Sequence, residues 1–267
     1  VSPAEKERFA RRLYLDLTGL PPNEAQTKAA LDRLDKDGNS AATRESLAKD
    51  LTEAPEFGTL YLAETETAAF SGQTVEYSYT LVCEIIRGTD AACLSCGDTD
   101  ACACKCPVLT ALGAERQSIR DLGAAFAAGD ASSSDVERAF AASQPFLFNG
   151  NSPEGITTQL FQAFLGRPAE KDELTNGRFL VTGSLLPDSP AGLLFHRNGA
   201  NYDDLLDIVF ESEVYRDALV NRVFQRYLGR PASPDELRFF SASLDPDSPD
   251  VRALVRAVVS SAEYFRQ

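Results

Sequence analysis

Two spacing patterns of apolar residues recur along the chain. The first is read from residues 160–174, LFQAFLGRPAEKDEL, and residues 223–237, VFQRYLGRPASPDEL. Phe161 aligns with Phe224, Leu165 with Leu228, Gly166 with Gly229, Pro168 with Pro231 and Leu174 with Leu237. Residues 13–22, LYLDLTGLPP, fit the same template and place Gly19 and Pro21 on Gly166 and Pro168. The pattern predicts an amphipathic helix closed by a glycine in the left-handed conformation. A proline that cannot continue the helix follows, and then a new helix begins. The predicted structural turns are thus Gly19 and Pro21, Gly166 and Pro168, and Gly229 and Pro231. Ser233-Pro234-Asp235-Glu236 reads as a capping box with proline at the first helical position.

The second pattern runs apolar, +4 apolar, +3 small, +3 aromatic. Its four copies are Leu47-Leu51-Ala54-Phe57, Val136-Phe140-Ser143-Phe146, Leu205-Val209-Ser212-Tyr215 and Leu254-Val258-Ser261-Tyr264. Steps of four and three predict one continuous helix face. The small residue would then admit a neighbouring helix and the aromatic would close that contact. Between the patterns lie Leu186-Pro187-Asp188-Ser189-Pro190 and Asp245-Pro246-Asp247-Ser248-Pro249, each read as a loop ending in a serine N-cap. Ser2-Pro3-Ala4-Glu5 reads as a helix start of the same kind, and Ser134-Asp135-Val136-Glu137 reads as another capping box.

Residues 68–132 break the pattern. Residues 74–82, TVEYSYTLV, alternate, with Val75, Tyr77, Tyr79 and Leu81 on one face, which predicts a strand carrying Cys83 inward. Residues 113–129 are alanine-rich and predict a helix. The expected fold is mainly α: repeated short amphipathic helix-turn-helix units with a small β-containing, cysteine-rich insert. The expected segments are an N-terminal helical repeat at 1–67, the insert with a short strand at 68–132, and C-terminal helical repeats at 133–267.

Charge narrows the partners. The chain has 26 basic and 40 acidic residues, a net charge of −14. Acids outnumber bases in each of 1–66, 67–150 and 151–267. A nucleic-acid backbone or an anionic membrane would therefore be repelled almost everywhere. No apolar run approaches the roughly 18–20 residues of a transmembrane segment. The sequence opens at Val1 with no apolar signal region, which reads as a mature or trimmed N-terminus.

The six cysteines are Cys83, Cys93, Cys96, Cys102, Cys104 and Cys106. An even, clustered set suits three structural disulfides in an oxidising compartment, stapling an irregular loop that buries little apolar surface. Fifteen pairings are open. The alternative is a thiolate metal or electron-transfer site, with CxxC and CxCxC supplying sulfur for zinc or an iron–sulfur cluster.

The block RFARRLYLDLTGLPP, followed after a spacer by LAKDLTEAPEFGTLY within residues 8–61, resembles a domain of unknown function of exported planctomycete and myxobacterial proteins. Relatives of that domain are often joined to c-type cytochrome modules. The LGRP repeats resemble related helical modules. The resemblance implies export to the periplasm, cell surface or extracellular space and a helical fold. It implies no established activity and no known catalytic residues. The haem-attachment motif is missing, since Gly97 follows Cys93-Leu94-Ser95-Cys96.

The remaining candidates for chemistry are few. His196 is the single histidine and reads as a solvated loop or helix-end residue. Asp35, Asp37 and Asn39 partly resemble a calcium loop, but Arg33 and Arg44 occupy the places of its first and last acidic ligands. Arg167 and Arg230 lie just past helix C-termini, where a cation meets free carbonyls. The functional expectation is a non-catalytic exported structural or interaction protein without a cofactor. Its partners would be proteins, itself as a homo-oligomer or an envelope complex among them.

Overall fold

The structure, a computed structural model, describes residues 1–36, 38–184 and 189–267. Among the described residues, fifteen α-helices follow in chain order. They begin with α1 (Pro3–Thr18), α2 (Glu24–Lys36), α3 (Ala41–Thr52), α4 (Pro55–Ala69) and α5 (Val75–Thr89). Next come α6 (Pro107–Ala128), α7 (Ser133–Ala142), α8 (Gln144–Gly150), α9 (Pro153–Leu160) and α10 (Lys171–Thr182). After strands β1 (Gly192–Leu194) and β2 (Arg197–Gly199) come α11 (Tyr202–Phe210), α12 (Glu213–Leu228), α13 (Pro234–Ser243), α14 (Val251–Val259) and α15 (Ala262–Arg266). The fold is mainly α, as the repeats predict.

The chain forms two compact units that are not consecutive in sequence. The first comprises residues 1–62, 125–133 and 216–267. Its core joins Phe9, Leu13 and Leu17 of α1, Leu34 of α2, Leu47 of α3 and Leu254, Val255 and Val258 of α14. The second comprises residues 63–124 and 134–215. A run of ring contacts crosses its core, from Phe146 to Phe164 to Phe210 to Tyr215, with centroids 5.9, 5.3 and 5.0 Å apart.

The first pattern folds as predicted. Gly19, Gly166 and Gly229 take φ of +73°, +65° and +69°, a conformation costly for any residue with a Cβ. Pro21, Pro168 and Pro231 each follow two residues later in a short non-helical connector. The next helix starts three residues beyond each proline, at Glu24, Lys171 and Pro234. Pro231 is exposed and Pro21 likewise, so these rings end the helix through backbone geometry rather than by filling the core. Ser233 and Glu236 form the expected capping box, and Ser2 and Glu5 form another.

The second pattern is corrected. None of its copies is one helix; each breaks at the small residue, giving the pairs α3/α4, α7/α8, α11/α12 and α14/α15. The Oγ atoms of Ser143, Ser212 and Ser261 accept from the backbone N–H of Phe146, Tyr215 and Tyr264 at 3.4, 2.9 and 3.1 Å. The step from serine to aromatic is therefore N-cap to N3. A hydroxyl that satisfies an orphan N–H starts a helix better than it continues one. The aromatics are still buried, and two carry a phenol that meets an acid: Tyr215 donates to Glu137 at 2.9 Å and Tyr264 to Asp16 at 2.7 Å.

Four further readings change. The predicted strand at 74–82 is the first half of α5, and the only sheet among the described residues is the β1–β2 hairpin, outside the insert. Val75, Tyr79, Val82 and Cys83 are buried, a helical spacing, while Tyr77 is 55% exposed. Ser248 is not a cap; Asp250 caps α14 by accepting from Arg252 N. Ser189 precedes a strand rather than a helix, and Leu186, Pro187 and Asp188 of its connector lie outside the described residues. Ser134 lies inside the first turn of α7, and the buried Glu137 takes the Tyr215 phenol.

Candidate functional site: the stapled insert

All six cysteines are paired, Cys83 with Cys102, Cys93 with Cys106 and Cys96 with Cys104. The last two are nested, and Cys83–Cys102 crosses both. Cys83 comes from the buried face of α5, Cys102 from a single 3-10 turn at Ala101–Ala103, and Cys106 from the residue before α6. Each bridge contributes on the order of 2–4 kcal/mol by restricting the unfolded chain.

Polar side chains fix the loop where hydrophobic burial is scarce. Thr74 starts α5 by accepting from Tyr77 N at 3.2 Å. Asp100 caps the 3-10 turn through Cys102 N at 2.9 Å and accepts from Arg116 of α6 at 2.8 Å. That Arg116 bond holds the Asp100 carboxyl below its usual range. Arg120 forks onto Glu76 with both distances at 2.5 Å. Tyr79 donates to Glu115, which also accepts from Gln144 N at 2.8 Å at the start of α8. Burial, reinforced by Glu115, pushes the Tyr79 phenol far up, so it stays protonated. A side chain at Gly113 would meet the Cys102 carbonyl at 2.8 Å, so α6 packs on the 3-10 turn only because that position is bare.

The three bridges differ in access. Cys83, Cys93, Cys102, Cys104 and Cys106 are buried, whereas Cys96 is partly exposed. Asp98 projects beside it, with Oδ2 at 3.5 Å from the Cys96 sulfur. The Asp98 carbonyl accepts from Arg87 at 2.8 Å, which pins its backbone to α5. In the sequence Asp98 is one acid among several in acidic turns; its place beside a sulfur depends on the disulfide pairing, which spacing leaves open.

The repeat arginines do more than meet a free carbonyl. Arg167 forks onto Glu173 at 2.7 and 2.7 Å, and Arg230 onto Glu236 at 2.8 and 2.8 Å. Each also donates to the carbonyl of the turn proline that follows it, Arg167 to Pro168 at 3.2 Å and Arg230 to Pro231 at 3.0 Å. Each guanidinium lies over the ring six residues before it, Phe161 at 5.2 Å and Phe224 at 5.3 Å. Arg230 has a further partner in Glu263. The turn residues are therefore structural: glycine reverses the chain, proline ends the helix, and arginine ties the turn to the helix that follows.

His196 sits at the exposed tip of the β1–β2 hairpin. Phe195 and His196 take φ of +47° and +64°, the signs a two-residue hairpin turn of type I′ demands. Its neighbour Phe195 rests on Phe161, ring centroids 6.0 Å apart. The hairpin lacks the usual Asn-Gly signal, which is why the sequence reads there as a loop or helix end. Of the acidic set, Asp35 accepts from Lys6 at 2.5 Å, and Asn39 accepts from Arg44 at 2.6 Å through its carbonyl and 3.3 Å through its side chain. Asp37 lies outside the described residues. A cleft of about 370 Å³ in the second unit, lined by Ser71, Asn149, Ser152, Glu154, Thr158 and Gln162 among others, is open and polar, and no sequence motif marks it.

Compared with protein-family models, with curated proteins and with solved structures, the chain matches none of them.

Proposed function

We propose that the chain is an exported, non-catalytic structural or interaction protein, a helical-repeat scaffold that presents a stapled insert to protein partners, copies of itself or an envelope complex among them. The observation that carries this reading is the concentration of all three disulfides between Cys83 and Cys106. Such bridges persist in oxidising compartments, which fits the resemblance of residues 8–61 to exported proteins. Around the insert, Asp100 caps the 3-10 turn and accepts from Arg116, and Arg120 is tied to Glu76, so these charged side chains hold its elements together. Leu94, next to Cys93 in the stapled segment, is 62% exposed, and Val108 of α6, two residues past Cys106, is 43% exposed.

Light scattering across concentration tests the self-assembly form of this reading. The expected result is a mass that rises above 28.9 kDa with concentration and falls back in Leu94→Asp. A monomer at every concentration would eliminate self-assembly and leave only a foreign partner.

A further inference from the structure

We infer that reduction of the Cys96–Cys104 disulfide uncovers a site for a borderline divalent cation such as zinc, built from the two cysteine thiolates and the Asp98 carboxylate. The inference is independent of the interaction reading, which needs only the oxidised fold. Its basis is a grouping: the sulfurs of Cys96 and Cys104 and a carboxylate oxygen of Asp98 all lie within 4.8 Å of one another. Tetrahedral zinc bound at about 2.3 Å by sulfur and about 2.0–2.2 Å by oxygen spaces its ligands by about 3.5–3.8 Å. The grouping needs only local adjustment to reach that. Three protein ligands leave one position for water or a fourth ligand.

The oxidised structure gives the Asp98 carboxylate no partner of its own. It makes no ion pair among the described residues, and a disulfide sulfur has no hydrogen to donate to it. The surroundings favour opening this bridge first. Cys96 is the one cysteine that is not buried, while both sulfurs of the other two bridges belong to buried residues. Cys93–Cys106 brackets the site three residues before Cys96 and two after Cys104, and Cys83–Cys102 anchors the same loop to α5. With those intact, reduction frees two thiols without releasing the segment that carries them. Arg87 still holds the Asp98 backbone.

A dithiol reductant closes its own disulfide as the Cys96–Cys104 bond breaks, and its two electrons and two protons leave two thiols on the protein. A zinc ion then forms two Zn–S bonds and one Zn–O bond, releasing two protons.

The test uses the full chain under native conditions, treated with a limiting amount of a water-soluble phosphine, which does not compete for zinc as a dithiol would. Alkylation mapping should find the first two thiols at Cys96 and Cys104. Competition against a chromophoric chelator should then show one zinc per chain in the dithiol form and none in the oxidised form, with both thiols protected from alkylation by the metal. Asp98→Asn should weaken zinc by about tenfold or more, and Cys96→Ser/Cys104→Ser should abolish uptake while leaving the other bridges closed. Thiols spread over all three bridges, no uptake by the dithiol form, or an Asp98→Asn protein that binds as tightly as the parent would each overturn the inference.

Discussion

Arg230 and Glu236, six residues apart, meet across the LGRP turn through two parallel hydrogen bonds of 2.8 Å. The same fork joins Arg167 and Glu173. In the N-terminal copy both halves of the fork are absent: Leu20 stands at the arginine position and Gln26 at the glutamate position. Gln26 keeps only the capping role, accepting from Asn23 N at 2.9 Å. The carboxylate therefore accompanies the arginine, while the cap survives without it.

Removing either partner of the Arg230–Glu236 fork should destabilise the chain, and a double-mutant cycle isolates the pair. The groups are about one-third exposed, so the coupling is expected at roughly 0.5–1 kcal/mol after solvent screening. Arg230→Ala should cost more than Arg167→Ala, because Arg230 also holds Glu263. Equal losses would remove the Glu263 contribution.

Acid should weaken the fold through these same carboxylates. The fork to Arg230, helped by the Ser233 cap, holds Glu236 down at about 2 against an ordinary 4.5. Glu173 and Glu263 are lowered by their arginines as well. A carboxylate with a depressed folded pKa contributes stability that is complete above its unfolded value and lost as pH falls through the folded one. Denaturant midpoints should thus fall as pH drops from about 4.5 towards 2. The fall should be shallower in Glu173→Gln/Glu236→Gln, and an identical fall in that variant would contradict the assignment.

The serine caps make a prediction with two signs. Ser212→Ala or Ser261→Ala should cost about 1 kcal/mol by leaving a helix N–H unpaired. Ala54 occupies the same cap position before α4 without a hydroxyl, so Ala54→Ser should stabilise by about 0.5–1 kcal/mol. Thermal or denaturant unfolding measures both.

At Gly113 an added methyl would press on the Cys102 backbone. Gly113→Ala should therefore destabilise by roughly 1–3 kcal/mol, the range for overpacking a closed contact. It should also slow correct oxidative refolding, read as the yield of the native disulfide pattern. Full stability in this variant would show that α6 does not rest on the 3-10 turn.

Much of this architecture is legible in the sequence. The glycine–proline turns declare themselves because only glycine relaxes in the left-handed conformation and proline cannot continue a helix. The other pattern is visible as a repeat, but its form is ambiguous. A four–three spacing fits a helix face, and it equally fits a helix end followed by an N-cap and its N3 aromatic. The serine is the discriminating signal. Residues 74–82 mislead through composition: β-branched and aromatic residues at alternate positions imitate a strand, yet Val75, Tyr79, Val82 and Cys83 also keep helical spacing, and tertiary packing selects the helix. The hairpin escapes because Phe195 and His196 hold a turn that asparagine and glycine usually announce. Disulfide pairing and the position of Asp98 beside Cys96 depend on how a loop closes in space, which no local spacing encodes.

The most direct test of the stapled insert is the intact mass of the denatured, unreduced protein from its native compartment, followed by mapping of linked peptides. The expected mass is about 6 Da below the all-thiol value, with links Cys83–Cys102, Cys93–Cys106 and Cys96–Cys104. A full-thiol mass would contradict it and would mean that the segment from Cys83 to Cys106 is kept reduced in the cell.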